Sequence, residues 1–237
     1  MTSKNLTNTL SPTIWLIGDS TVCNYPRRSY PQMGWGQMLH RYCQADVKIE
    51  NHASGGRSTK SFLAEKRWAK VLEGMKEGDF LMIQFGHNDQ KENKPAVYAP
   101  ADTLYQELLI KFITEAREKG VSTVLVTSIC RRDFDKEGKI NNSLGKYPEA
   151  MKAVAQKMGV PIIDLNAISL QKFNSLGPEK TKKIFLHLDP EKYKNFPKGS
   201  TDNSHFHRNG AIIIAGWIVA EAKKQNIAIC KLLKECE

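Results

Sequence analysis

The order of apolar and amphipathic segments predicts an α/β fold, a three-layer α/β/α sandwich built on a five-stranded parallel sheet. Three observations carry that expectation. Short, continuously apolar runs alternate in strict succession with longer amphipathic stretches, and strands apolar on both faces belong between two layers of helices. The chain's 237 residues suffice for one substantial domain. No internal repeat, low-complexity tract or linker interrupts the succession. Residues 1–237 therefore read as a single domain, with 1–12 as a flexible N-terminal segment.

Each element has its own signal. Residues 13–17 (TIWLI) read as a buried strand. The stretch 34–44 reads as a helix with Trp35, Met38, Leu39 and Tyr42 on its inner face. A second strand follows over 47–51 and a second helix over 59–75. The run 79–85 (DFLMIQF) is a strand after a Gly-Asp turn. Residues 101–119 are strongly helical, and Gly120 suits a helix C-terminus. The β-branched run 121–128 (VSTVLVTS) is the clearest strand. A helix over 146–158, Gly159 and a strand over 160–164 repeat the pattern. The last helix spans 208–225, read from Ile212, Ile213, Ala215, Gly216, Ile218, Val219 and Ala222. Segments 91–100, 131–145 and 178–201 are left as insertions. The last carries lysines at 180, 182, 183, 192, 194 and 198, and loops of that length are often functional.

Composition narrows the function classes. A hydrophobic fraction of 41% and a charged fraction of 25% are ordinary for a globular protein. No run approaches the roughly 18 apolar residues of a membrane span, and the opening MTSKNLTNTLSP lacks the apolar core of an export signal. The net charge of +10 favours an acidic partner. Nucleic acid is not expected, because the basic residues are interleaved with acids and form no binding motif. Five cysteines, at 23, 43, 130, 230 and 236, show neither metal spacing nor a disulfide framework. They read as free, structural thiols, with one disulfide in an oxidising compartment as the alternative.

The chemistry is expected beyond the carboxyl ends of the strands, where connections converge on a crevice. Three consecutive strand ends carry small, polar groups: Gly18-Asp19-Ser20-Thr21, then 51–58 (NHASGGRS), then Gly86-His87-Asn88-Asp89-Gln90. A serine nucleophile needs a histidine base oriented by a carboxylate. Asp202-Asn203-Ser204-His205 offers that pair just before the last helix, provided the backbone folds back on itself. The oxyanion of a tetrahedral intermediate needs aimed donors. The backbone N–H groups of Ser20 and Gly56 and the Asn88 amide are the candidates.

Gly18-Asp19-Ser20, Gly56, Gly86-His87-Asn88-Asp89 and Asp202-x-x-His205 resemble, in order, the four blocks of the SGNH (GDSL) hydrolases. Gly34-Trp35-Gly36, NHASGGRSTKSF (51–62) and QFGHND (84–89) resemble the rhamnogalacturonan acetylesterases of carbohydrate esterase family 12. The likeness runs from Ile14 through the last helix. It implies a flavodoxin-like sandwich and hydrolysis of acetyl esters through an acyl-serine. It assigns the nucleophile to Ser20, the triad partners to Asp202 and His205, and the oxyanion donors to Ser20, Gly56 and Asn88. It implies no metal and no cofactor, an extracytoplasmic location, for which the opening residues leave a cytoplasmic one as the alternative, and an acetylated acidic polysaccharide or oligosaccharide as partner.

Competing assignments stand beside these. His207 lies near the same carboxylate and rivals His205, which the family spacing prefers. Trp35 is a candidate sugar platform, although close packing between two glycines suits it better. Arg57 serves equally well to meet a substrate carboxylate or to anchor the Gly56 loop. Asp19, His87 and Asp89 read as supporting hydrogen-bonding groups. His205-Phe206-His207 has no third ligand at metal-site spacing. Another acetylated substrate, such as acetylxylan, a sialate or a short-chain lipid ester, remains the alternative, with a non-catalytic polysaccharide-binding protein behind it.

Overall fold

The computed structural model describes residues 12–235. Its central sheet is formed by β1 (Ile14–Gly18), β2 (Ile49–Asn51), β3 (Phe80–Gln84), β4 (Ser122–Val126) and β5 (Ile162–Ile163). All pairings in it are parallel, in the order β2-β1-β3-β4-β5. This is the flavodoxin-like order, whose switch point lies between β1 and β3. The expected flexible segment 1–12 falls, except for its last residue, outside the described residues.

Period-two alternation sends successive side chains into two separate cores. Ile14, Leu16, Phe80, Met82, Val124 and Val126 face one cluster. Trp15, Ile17, Leu81, Ile83 and Leu125 face the other. The first core is closed by α1 (Trp35–Met38), α6 (Leu165–Thr181) and α7 (Arg208–Lys224). The second is closed by α2 (Thr59–Ala64), α3 (Arg67–Gly74), α4 (Leu104–Glu118) and α5 (Tyr147–Met158). Helix α4 shows why these segments are helical: Leu108, Leu109, Phe112, Ile113 and Ala116 make one buried stripe. Helix α7 buries Ala211, Ile214, Ala215, Ile218, Val219 and Ala222, and ends on Lys223 and Lys224, cations that suit the negative end of the helix dipole.

Several boundaries differ from the sequence expectation. The helix expected over 59–75 is two helices, broken where Lys66 takes a left-handed φ of 57°. The helix expected over 34–44 is the single turn of α1 followed by a 3-10 turn, Leu39–Tyr42. Helix α6 was not foreseen, and its continuity is broken at Gly177, φ 74°. The insertion 178–201 contains β6 (Phe185–Leu188), which pairs antiparallel with β7 (Ser200–Phe206) as a separate two-stranded sheet. Among the described residues Cys23, Cys43, Cys130 and Cys230 are free thiols; Cys236 lies outside them.

Candidate active site

The turn after β1 presents Ser20, and a buried chain of hydrogen bonds holds that turn. Trp35 Nε1 donates to Gln84 Oε1 at 2.9 Å, Gln84 Nε2 to Thr21 Oγ1 at 2.6 Å, and Thr21 Oγ1 to Asp19 Oδ1 at 2.8 Å. The Thr21 backbone N–H adds a second bond to the same Asp19 oxygen at 2.8 Å. Asp19 Oδ2 faces His87 Nδ1 at 3.1 Å, and His87 Nε2 donates to the Ile129 carbonyl at 2.9 Å. Burial opposes ionisation of Asp19, but the His87 charge and the bonds from His87 and Thr21 outweigh it. Its carboxyl is held below the usual carboxylate range. The supporting role read for Asp19 and His87 is thus the one their geometry suits.

Trp35 is not available to a sugar. It is 1% exposed and wedged where Gly34 and Gly36 bring the chain against the first loop. A Cβ on Gly34 would lie 2.4 Å from the Cys23 carbonyl oxygen, and one on Gly36 2.5 Å from that of Val22. The substrate-binding expectation for Trp35 is corrected: close packing excludes ligand from it.

The loop after β2 is tied to both neighbours. Ser54 N–H donates to the Gly18 carbonyl at 2.9 Å, and Gly56 adopts φ +77°, a conformation that suits glycine. Ser58 caps α2 in a capping box with Ser61. Thr59 is bound through N and Oγ1 to Asp89 Oδ1 at 2.9 and 2.6 Å. Arg57 turns to Glu65 at 3.0 Å and to the Gly55 carbonyl at 2.8 Å. It anchors the Gly56 loop, the second of its two readings. Asn88 Nδ2 donates to the Arg57 carbonyl at 2.9 Å while its Oδ1 accepts from Lys91 Nζ at 2.6 Å. This fixes the amide at the wall of the cleft and leaves its second N–H without a protein acceptor among the described residues.

Strand β7 supplies the remaining pair from the far end of the chain. Asp202 Oδ1 accepts from Ser204 N at 2.7 Å and His205 N at 3.0 Å, so the backbone does fold back. Asp202 Oδ2 accepts from His205 Nδ1 at 2.6 Å, and His205 Nε2 lies 3.0 Å from Ser20 Oγ. An ionised carboxylate only accepts, so the ring proton sits on Nδ1 and Nε2 offers its lone pair to the Ser20 hydroxyl. Burial works against the Asp202 charge, but the bonds from His205 and Ser204 hold its pKa down at about 2. His207 is turned elsewhere. Its Nδ1 accepts from Asn209 N at 3.1 Å at the start of α7, and its Nε2 meets Tyr193 Oη at 3.0 Å.

Ser20, Gly56, Asn88 and His205 line one cleft of about 370 Å³. Among the described residues the backbone N–H groups of Ser20 and Gly56 donate to no protein acceptor. The cleft thus holds a hydroxyl beside a base and three free N–H donors, an arrangement able to support acyl transfer. Four further cleft residues were not singled out from sequence: Tyr25, Lys91, Arg131 and Ser204. Tyr25, whose hydroxyl donates to the Ser20 carbonyl at 2.9 Å, follows the first strand-end block by four residues. Lys91 and Ser204 adjoin motif residues, so proximity in sequence was their available signal; Arg131 carried none.

Comparison with known proteins gives four findings. The profile of the GDSL-like lipase/acylhydrolase family matches residues 16–194. The chain is 43% identical over 208 residues to rhamnogalacturonan acetylesterase RhgT of Bacillus subtilis, covering 88% of each chain. It is 34% identical to the probable rhamnogalacturonan acetylesterase YesY of the same organism, covering 94% of this chain and 98% of that one. Among solved structures, protein YxiM of Bacillus subtilis superposes with a TM-score of 0.76 at 33% identity, over 92% of this chain and 57% of the other.

Proposed function

The chain belongs to the GDSL-like lipase/acylhydrolase family and is an ester hydrolase, and we propose that it removes O-acetyl groups from acetylated rhamnogalacturonan or a related pectic oligosaccharide through an acetyl-serine. The observation that carries the chemistry is the chain of hydrogen bonds from Asp202 through His205 to Ser20 Oγ. The substrate reading is supported by the identity to two relatives named for that activity.

In the proposed reaction Ser20 Oγ attacks the acetyl carbonyl carbon as His205 Nε2 takes the hydroxyl proton. The oxyanion is met by the N–H groups of Ser20, Gly56 and Asn88. Collapse expels the sugar hydroxyl, which receives the proton from His205 and leaves an acetyl-serine. Water, deprotonated by the same nitrogen, then attacks the acetyl carbon and releases acetate and Ser20. Asp202 holds the ring and stabilises its cationic form without taking a proton. The +10 net charge suits an acidic polymer.

Two measurements test this reading. Ser20→Ala is expected to lower hydrolysis of 4-nitrophenyl acetate by about 10⁵-fold or more; activity near that of the parent overturns the nucleophile. Acetate release is expected to be faster from acetylated pectin than from acetylated xylan, and the reverse order overturns the substrate.

A further inference from the structure

A second cavity opens beside the cleft, and Tyr25 lines both. It measures about 480 Å³, within the range of small-molecule sites. The polar part of its wall is made by Tyr25, Arg27, Tyr30, Gln32, Gln37 and Asn195, two phenol rings, a guanidinium and three amides, with Pro26 and Met33 between them. The first four come from the loop between β1 and α1. Asn195 comes from the lysine-rich insertion 178–201, and its Nδ2 donates to the Arg27 carbonyl at 3.2 Å and the Tyr30 carbonyl at 3.0 Å. Tyr193 of the same insertion sets its ring against Tyr30, centroids 6.1 Å apart. The insertion thus braces the turn that carries Arg27.

Two features of this wall are open to a ligand. Tyr30 is an exposed large hydrophobic residue, at 43%. Arg27 is exposed and has no carboxylate partner among the described residues. An aromatic face beside an unpaired guanidinium suits a sugar ring bearing a carboxylate, because the guanidinium grips a carboxylate with two parallel N–H donors.

We propose that this second cavity is a uronosyl subsite, in which Arg27 binds the carboxylate and Tyr30 packs on the ring of a uronosyl residue in the same oligosaccharide as the acetylated one. The assignment rests on the pectic reading of the cleft and gives that reading its charge discrimination.

The test compares acetylated rhamnogalacturonan oligosaccharides before and after their carboxyl groups are reduced to alcohols. The parent protein is expected to show a KM about tenfold lower for the acidic form, the size of one charge-assisted pair. Arg27→Gln is expected to collapse the ratio of the two KM values toward one, and Arg27→Lys to restore part of it. Tyr30→Ala should raise both KM values by a similar factor, since packing on the ring does not depend on charge. Lys157→Gln, on the far end of α5, should keep the parent ratio, which separates a local pair from general attraction. A parent ratio preserved in Arg27→Gln, or lost equally in Lys157→Gln, overturns the subsite alone. A parent protein that hydrolyses 4-nitrophenyl acetate but releases acetate from neither oligosaccharide overturns the pectic reading and the subsite with it.

Discussion

Among the described residues two aspartate–histidine pairs stand within one site, and they are built for opposite purposes. In the Asp19–His87 pair the side chains are 0% and 7% exposed and meet at 3.1 Å. In the Asp202–His205 pair they are 34% and 29% exposed and meet at 2.6 Å. The decisive difference is the second ring nitrogen. His87 spends its Nε2 on the Ile129 carbonyl, so the ring is committed at both ends and holds β1, β3 and the segment after β4 together. His205 leaves its Nε2 against Ser20 Oγ, where a proton can be accepted and returned. Identical residue types therefore give a brace in one place and a base in the other.

The largest effect that would break this contrast is on the half-buried Asp202–His205 pair. Asp202→Asn keeps the shape of the side chain but no longer forces the ring proton onto Nδ1. We expect kcat to fall by about 10⁴-fold with KM little changed, because the wrong tautomer cannot take the serine proton. Thermal unfolding should shift by no more than a few degrees. A fall of less than tenfold would mean that Asp202 does not orient the base.

The buried pair should answer in stability. Removing one partner of a buried ion pair leaves the other uncompensated, at a cost of about 3–5 kcal/mol. Asp19→Asn is therefore expected to lower Tm by about 10 °C. Because folding lowers the Asp19 pKa, its stabilisation is complete above about pH 4 and drains away as acid carries the pH down through the folded value. Calorimetry from pH 7 to pH 3 should thus show a flatter acid limb in Asp19→Asn. An acid limb as steep as the parent's would locate the proton uptake elsewhere.

The same contrast explains what sequence could reveal. The buried strands announced themselves, since Ile14–Gly18, Phe80–Gln84 and Ser122–Val126 are apolar on both faces. The ends of the first two located Ser20 and Asn88, and the end of the shorter strand β2 located Gly56. Strand β7, STDNSHF, is polar because it lies outside the main sheet, so no apolar alternation marked it as a strand. Helix α6 escaped because Gly177 and Pro178 interrupt it and its apolar residues follow no clean period. Lys66 breaks the 59–75 segment without the glycine or proline that signals a break. The choice between His205 and His207 had no local signal either. It depends on Tyr193 and Asn209 claiming the nitrogens of His207, contacts that exist only once the chain is folded.

The smallest expected effect sharpens the contrast from a third carboxylate. Asp89 sits at the same strand end as His87, is 0% exposed and has no histidine. Thr59 occupies its Oδ1, while Oδ2 has no hydrogen-bond partner. Burial pushes its pKa up to about 7, against the bonds from Thr59 and with a further push from the nearby Asp19 charge. The folded protein thus keeps a proton that the unfolded chain releases near pH 4. Between those values the unfolded state binds fewer protons, so stability falls as pH rises and levels off above about pH 7. Asp89→Asn presents a neutral side chain of the same shape at every pH. It is expected to be more stable than the parent by about 1–3 kcal/mol at pH 8 and nearly equal at pH 4, as read by urea unfolding at both values. An asparagine variant weaker at pH 8 would mean that the carboxylate is ionised and useful there. The distinction drawn from the two pairs would then fail, because a buried carboxylate at this strand end would need no histidine to hold its charge.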